Sequence, residues 1–289
     1  MTTHILNDAL RDAFGAALSK AVPVSGGDIN EARRLTLTNG AQVFMKANRT
    51  AGPGFFQAEA DGLAAIRRTG AIRVPEVIAT GEDAAFGAFL LLEWVDSAPQ
   101  ARDFWERFGR ALAEMHAAVP RERFGWPRDN YIGSSPQVNT QRDSWVAFFR
   151  DCRLAPQFRR ASRWFDAAAQ RRVARLLDRL EDILVEPDHP SLLHGDLWSG
   201  NFITGGDGQA WLIDPAVYAG HAEADLAMTE LFGGFPHRFY DAYREARPLQ
   251  PGYDQRRDLY NLYHLLNHLN LFGGGYLGAV ERTLRRYAG

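Results

Sequence analysis

Apolar residues recur at helical spacing near the start of the chain, where Ile5, Leu6, Ala9, Leu10, Ala13, Phe14, Ala17 and Leu18 fall among polar neighbours. Past Val22 the period shortens to that of a strand. The runs Ala32–Leu37 and Ala41–Lys46 flank Asn39-Gly40, a dipeptide suited to a tight reversal, so they predict an antiparallel pair with Lys46 closing the second strand. Phe56, Leu63 and Ile66 trace the apolar face of a helix interrupted by Gly62. Arg73–Gly81 and Ala88–Val95 read as further strands, the second apolar without alternation, as burial on both faces requires. Small and polar residues from Asp96 to Arg102 then mark a boundary. Beyond it the pattern is mainly helical: about Asp103–Val119, Trp145–Leu154, Asp166–Glu186, and two helices in the last third. The expectation is an α+β chain in two parts, a sheet-bearing 1–95 and a helical 96–289.

Composition narrows the setting. With 289 residues, 46% of them apolar, the chain is long enough to bury a sizeable core. The charge balance of 33 − 35 = −2 suggests no polyanionic partner, and the basic pairs Arg67-Arg68 and Arg171-Arg172 read as solvated helix faces, so no nucleic-acid partner is expected. Cys152 is the only cysteine, which excludes an intrachain disulfide framework and fits a reducing, cytoplasmic setting. No apolar run reaches the length of a membrane span, and the N-terminal pattern is that of an amphipathic helix rather than a signal peptide.

The candidate chemistry lies in His194-Gly195-Asp196-Leu197-Trp198-Ser199-Gly200-Asn201 and Ile213-Asp214-Pro215. Either piece alone reads as a turn. Together they match the needs of phosphoryl transfer: a carboxylate to take a proton from the attacking hydroxyl, and an amide oxygen and second carboxylate to hold Mg²⁺ against nucleotide phosphates. Asp196 and Asn201 are five residues apart (201 − 196), the separation of the Asp and Asn in a kinase catalytic loop. Phe202-Ile203-Thr204, a Gly/Asp-rich turn over 205–208 and Ala210–Ile213 predict a hairpin returning Asp214 towards Asn201.

Upstream, Lys46 ends an apolar strand where a kinase places the cation that contacts the α/β-phosphates of ATP, and Glu59 is its candidate ion-pair partner. Gly26 and Gly27 suit a turn whose N–H groups approach phosphates. Glu93, Trp94 and Val95 fall at the connection between the two parts, where backbone groups would bind the adenine edge. His116, aligned with Phe108, Leu112 and Met115, reads as a packed core histidine rather than a base. The aromatic-rich segment 123–133 either faces a substrate or closes a helical corner.

With Lys46, Glu59, Asp196, Asn201 and Asp214 in order, the chain resembles the protein-kinase-like superfamily and its aminoglycoside-phosphotransferase-like branch. More narrowly, Leu193–Asn201, Gly220–Met228, Leu231–Phe235 and Ser25–Asn30 resemble the fructosamine-3-kinase (ketosamine-3-kinase) family over nearly the whole chain. The resemblance implies a bilobal fold with an antiparallel β-sheet N-lobe and a helical C-lobe. It also implies ATP- and Mg²⁺-dependent phosphorylation of the sugar 3-hydroxyl of ribulosamines or fructosamines, free or on proteins, after which the product decomposes and releases the amine. Carried over, Asp196 is the general base, Asn201 and Asp214 bind Mg²⁺, Lys46 contacts phosphate, Glu59 orients Lys46, and Asp225 accepts backbone N–H bonds of the catalytic loop. Trp198 either contacts the sugar or packs under the loop. The ten residues 215–224 leave no room for a long activation segment, and Asp28 stands where many relatives carry a small hydroxyl residue. The alternatives are a kinase of another hydroxylated amine, such as choline or an aminoglycoside, and a nucleotide-binding pseudokinase scaffold. The intact Lys, Glu, Asp, Asn and Asp set argues against the scaffold.

Overall fold

A computed structural model describes residues 5–24, 29–52, 54–118 and 122–289. Gly26, Gly27 and Asp28 lie outside the described residues. Two compact units emerge: residues 1–102 with 203–213, and residues 103–202 with 214–289. The chain therefore divides at Arg102/Asp103 rather than at 95/96, and the hairpin after Asn201 is counted with the first unit. The 96–102 segment is tied to that hairpin by an Ala101 N–H donating to the Gly208 carbonyl at 3.1 Å and a Ser97–Gly205 bridge.

In the first unit, helix α1 (Ile5–Phe14) buries Leu6 and Leu10. The expected continuation through Ala17 and Leu18 does not occur. Gly15 takes φ 64° and its N–H returns to the Arg11 carbonyl, a left-handed stop that glycine adopts without a Cβ clash. Leu18 instead begins β1 (Leu18–Pro23), which pairs with β2 (Glu31–Leu37); β2 pairs with β3 (Gln42–Asn48) across the turn in which Gly40 has φ 86°. Helix α2 (Phe55–Thr69) follows, then β4 (Val77–Asp83) and β5 (Gly87–Glu93). The five-stranded antiparallel sheet runs β1-β2-β3-β5-β4. Phe56, Ala60, Leu63 and Ile66 form the buried stripe of α2, each large side chain contributing about 1.5–3 kcal/mol of burial. Gly62 is accommodated within this helix.

The second unit opens with α3 (Phe104–Ala118), whose Phe104, Phe108, Leu112 and Met115 are buried. A small sheet of β6 (Asn130–Ile132) and β7 (Ser135–Gln137) follows, so the aromatic segment closes a corner: Phe124 bridges Arg142 and Gly125 bridges Ala219. Helix α4 (Trp145–Phe148) runs through a π-helical stretch, Phe149–Leu154, into α5 (Ala155–Arg160). The single long helix expected over 166–186 is broken into α6 (Ala167–Asp178), capped by Asp166, and α7 (Leu180–Ile183). Strand β8 (Ser191–Leu193) leads into the loop that carries Asp196. The hairpin β9 (Phe202–Thr204) and β10 (Ala210–Leu212), counted with the first unit, forms as expected, and in the second unit β11 (Tyr218–Gly220) pairs back onto β8. Four helices then complete the unit where two were expected: α8 (Ala222–Leu231), α9 (His237–Ala246), α10 (Tyr253–Phe272) and α11 (Leu277–Ala288). Helix α10 is buried around most of its circumference and buries polar Arg256, Asn261, His264 and Asn267 along with its apolar residues, so its sequence carries little amphipathic signal. No described helix is long and apolar enough to cross a membrane.

Candidate active site

In the first unit, Lys46 faces Leu90 across the sheet on β5 and is only 7% exposed. Its Nζ donates to Glu59 Oε1 on α2 at 2.6 Å. A lysine this buried is tolerable only when paired, and the pair fixes where its ammonium points. Glu93 ends β5. Its N–H donates to the Glu76 carbonyl at 2.8 Å, and its carboxylate accepts from the Glu76 N–H at 3.1 Å. Trp94 follows immediately; its indole N–H reaches Asp96 Oδ1 at 3.0 Å and the Arg34 guanidinium lies over its ring. Val95 is half-buried just beyond the strand.

In the second unit the β8–β11 pair clamps the base of the loop. The Ala216 N–H donates to the His194 carbonyl at 2.8 Å. Gly195, at φ 83°, passes so close to Ala216 that an added Cβ would strike its carbonyl oxygen. Asp225, on the first turn of α8, accepts the N–H of His194 at 2.7 Å and of Gly195 at 2.8 Å. Its role as a backbone anchor is therefore seen directly. His116 is buried, as expected of a core residue, and completes this arrangement. As a neutral imidazole it donates from Nε2 to Asp225 at 3.2 Å and accepts from the Tyr243 hydroxyl at Nδ1, 2.8 Å. Burial lowers the His116 pKa, keeping the ring neutral. Burial, the largest single influence, would raise Asp225, but the hydrogen bond from His116, the Gly195 N–H and the neighbouring imidazoles together outweigh it and hold the carboxyl below its ordinary value.

Asp196 is thus carried on a backbone pinned from both sides. Asn201 Nδ2 donates to its carbonyl at 2.7 Å and to Oδ2 at 3.1 Å, which leaves the Asn201 amide oxygen free of these contacts. The Asp196 side chain stays 20% exposed, so an acceptor can reach it. Burial, aided by the charges of Asp214 and Asp225 and opposed by the Asn201 hydrogen bond, pushes its pKa up to about 7. A base poised near neutrality combines ionisation with useful proton affinity. Asp214, at φ 57°, is the only non-glycine in the left-handed region among the described residues. Such a conformation marks a site whose surroundings over-determine the backbone. Asp214 opens the short return to β11, and no long segment intervenes before α8.

Trp198 is 36% exposed, with its indole edge-to-face against Phe232 and folded over Gly200, where a Cβ would strike the ring. It is a surface group rather than a buried support. His264 on α10, which no sequence pattern marks, has its Nδ1 3.8 Å from Asp196 Oδ1. Nothing in sequence spacing links positions 196 and 264, and only the packing of α10 brings them together.

A fructosamine kinase family model matches residues 1–288. A "Probable ketoamine kinase" of Synechocystis sp. is 46% identical over 269 residues, covering 91% of this chain and 88% of that protein. A chloroplastic protein-ribulosamine 3-kinase of Arabidopsis thaliana is 40% identical, covering 96% and 85%. The crystal structure of a candidate fructosamine-3-kinase from Thermobifida fusca superposes with a TM-score of 0.86 at 36% identity, covering 99% of each chain.

Proposed function

The chain belongs to the fructosamine kinase family, and from that premise we propose that it phosphorylates the sugar 3-hydroxyl of ketoamines, ribulosamines in preference to fructosamines. It is an ATP-dependent phosphotransferase with an alcohol acceptor, built on the bilobal kinase-like fold of its relatives. The observation that carries the reading is Asp196: one carboxylate with a pKa near 7, partly open to solvent, on a loop whose backbone Asp225 binds.

Asp196 accepts the proton of the acceptor hydroxyl as that oxygen bonds to the γ-phosphorus of ATP and the bond from phosphorus to the bridging oxygen of ADP breaks. The products are the phosphorylated ketoamine, ADP and a proton that passes from Asp196 to solvent. The Asn201 amide oxygen and the Asp214 carboxylate are hard oxygen donors that fit Mg²⁺. No group of three or more His, Cys, Asp or Glu forms a metal cluster among the described residues, which suits an ion that takes its other ligands from phosphates and water. When bound, Mg²⁺ supplies charge neutralisation on the transferring phosphates. The buried Lys46–Glu59 pair supports the phosphate-contact role of Lys46, and Glu93, Trp94 and Val95 keep the adenine-edge role by their position after β5. Gly26 and Gly27 are assigned to the phosphate turn on sequence alone. Exposure of the Trp198 indole supports contact with the sugar face. The partner is a small ketoamine or a glycated protein amine, no nucleic acid is involved, and the setting is cytoplasmic.

The test is a phosphorylation assay with ATP and Mg²⁺ over ribulosamines, fructosamines, choline and aminoglycosides. Turnover of the ketoamines, with 3-phosphate products, is expected. Turnover of choline or an aminoglycoside alone moves the acceptor assignment to another hydroxylated amine. Nucleotide binding without any transfer returns the chain to a scaffold role.

A further inference from the structure

His264 is buried on α10, and its Nδ1 makes no hydrogen bond among the described residues. Leaving a buried polar atom unpaired costs about 1–3 kcal/mol, so such a group calls for an explanation. The nitrogen faces Asp196 Oδ1 at 3.8 Å, beyond hydrogen-bond length but within an ångström or so of it. Neighbouring contacts hold α10 in place on both sides. The Tyr263 hydroxyl meets Gln137 Oε1 at 2.7 Å, and Gln157 Nε2 meets Asn267 Oδ1 at 3.2 Å. His268, one turn on, is committed elsewhere, with Nδ1 at 2.8 Å from the His264 carbonyl. His264 therefore has one polar atom to spare, and Asp196 Oδ1 is the acceptor in front of it.

We infer that His264 is a positioning residue for the catalytic carboxylate: its Nδ1–H closes onto Asp196 Oδ1 in the acceptor complex, opposite the Asn201 contact on Oδ2. Held at both oxygens, the carboxylate presents a fixed lone pair to the acceptor hydroxyl. Catalytic hydrogen bonds that are long in the free enzyme shorten in this way when substrate is bound. Burial keeps the imidazole neutral, the form that donates from one nitrogen without adding charge beside the base. The inference rests on the base role assigned to Asp196.

Three variants separate positioning from packing. His264→Leu keeps apolar bulk without a donor, His264→Asn places an amide nitrogen near the Nδ1 position, and His264→Gln carries its amide further out. Misplacing a reacting group by about 1 Å can cost on the order of 100-fold. His264→Leu is accordingly expected to lower kcat about 10- to 100-fold, leave the KM for ATP within about twofold, and hold or raise the Tm, since an unpaired buried nitrogen is gone. His264→Asn is expected to recover kcat to within about threefold of wild type, and His264→Gln to recover less. A Leu variant within about twofold of wild-type kcat overturns the inference, as does an Asn variant as slow as Leu, or a Leu variant whose Tm falls together with its activity. Wild-type enzyme inactive on every ketoamine instead overturns the acceptor assignment, and the same variants are then compared on whichever alcohol it phosphorylates.

Discussion

Asp225 and Gly195 are bound to each other by a 2.8 Å hydrogen bond from a loop N–H to a fully buried carboxylate, with a second bond from His194 at 2.7 Å beside it. The loop that carries Asp196 is thus held by a residue that follows Asp214 by eleven positions (225 − 214) and takes no part in the proposed transfer. Replacing Asp225 by Asn puts an N–H₂ group where acceptors are needed. Asp225→Asn should therefore destabilise the protein by about 3 kcal/mol, as expected for breaking a buried, charge-assisted set. Urea unfolding measures this, and an unchanged midpoint would show that the loop does not depend on the anchor.

Asp196→Asn removes the proposed base but keeps the shape. Turnover should fall by roughly 10²–10⁴-fold while ATP affinity stays near wild type, because the base acts on the acceptor rather than the nucleotide. Steady-state kinetics with calorimetric ATP titration separate the two effects, and a variant retaining more than about a tenth of kcat removes Asp196 from the role.

Asp214→Ala should raise the Mg²⁺ concentration needed for nucleotide binding, whereas Lys46→Ala should raise the KM for ATP at saturating Mg²⁺. Mg²⁺ titrations of both variants are the check. A wild-type metal requirement in active Asp214→Ala would remove it from the ligand set.

Trp198→Ala tests the exposed indole. Since the residue is 36% exposed, loss of its side chain should leave the Tm within a few degrees while raising the KM for the ketoamine. A large drop in Tm with general loss of activity would instead make Trp198 a support of the loop.

The pH dependence of stability carries the signature of His264. Burial lowers its pKa from 6.5 to about 3 in the folded protein. Between those values the unfolded chain binds a proton that the folded chain refuses, so this group destabilises the protein as pH falls from 6.5 towards 3, by about 1.4 kcal/mol per pH unit at most. Asp196 acts in the opposite sense: its pKa is raised to about 7, so protonation between that value and 3.8 favours the folded state. The two nearly offset each other in wild type. The observable is their separation: His264→Asn should gain stability relative to wild type as pH is lowered from 7 to about 4.5. Parallel Tm-against-pH curves for the two proteins would contradict the buried, neutral assignment.

Most of the fold was legible where a local pattern and a local turn agree. The Asn39-Gly40 hairpin, the strand carrying Lys46, the 205–208 turn and the helix carrying Glu59 are each fixed by short-range spacing and backbone preference. The ordered motif from Lys46 to Asp214 exposed the phosphotransfer chemistry because its intervals within the catalytic segment are chemical requirements written along the chain. Local rules also explain the errors. Helical spacing ran on through Leu18 because periodicity does not register that Gly15 turns left-handed, and the last third holds four helices where two were expected, among them α10, which is buried around most of its circumference and so shows little amphipathic phase. Tertiary structure alone decided which distant groups meet. Asp225 reaches the N–H groups of His194 and Gly195, Tyr243 reaches His116, and His264 comes to face Asp196 across 68 positions (264 − 196), through the packing of α8, α9 and α10. The acidity of Asp196 belongs to that second level as well, since desolvation and the fields of Asp214 and Asp225 exist only once the chain has closed around it.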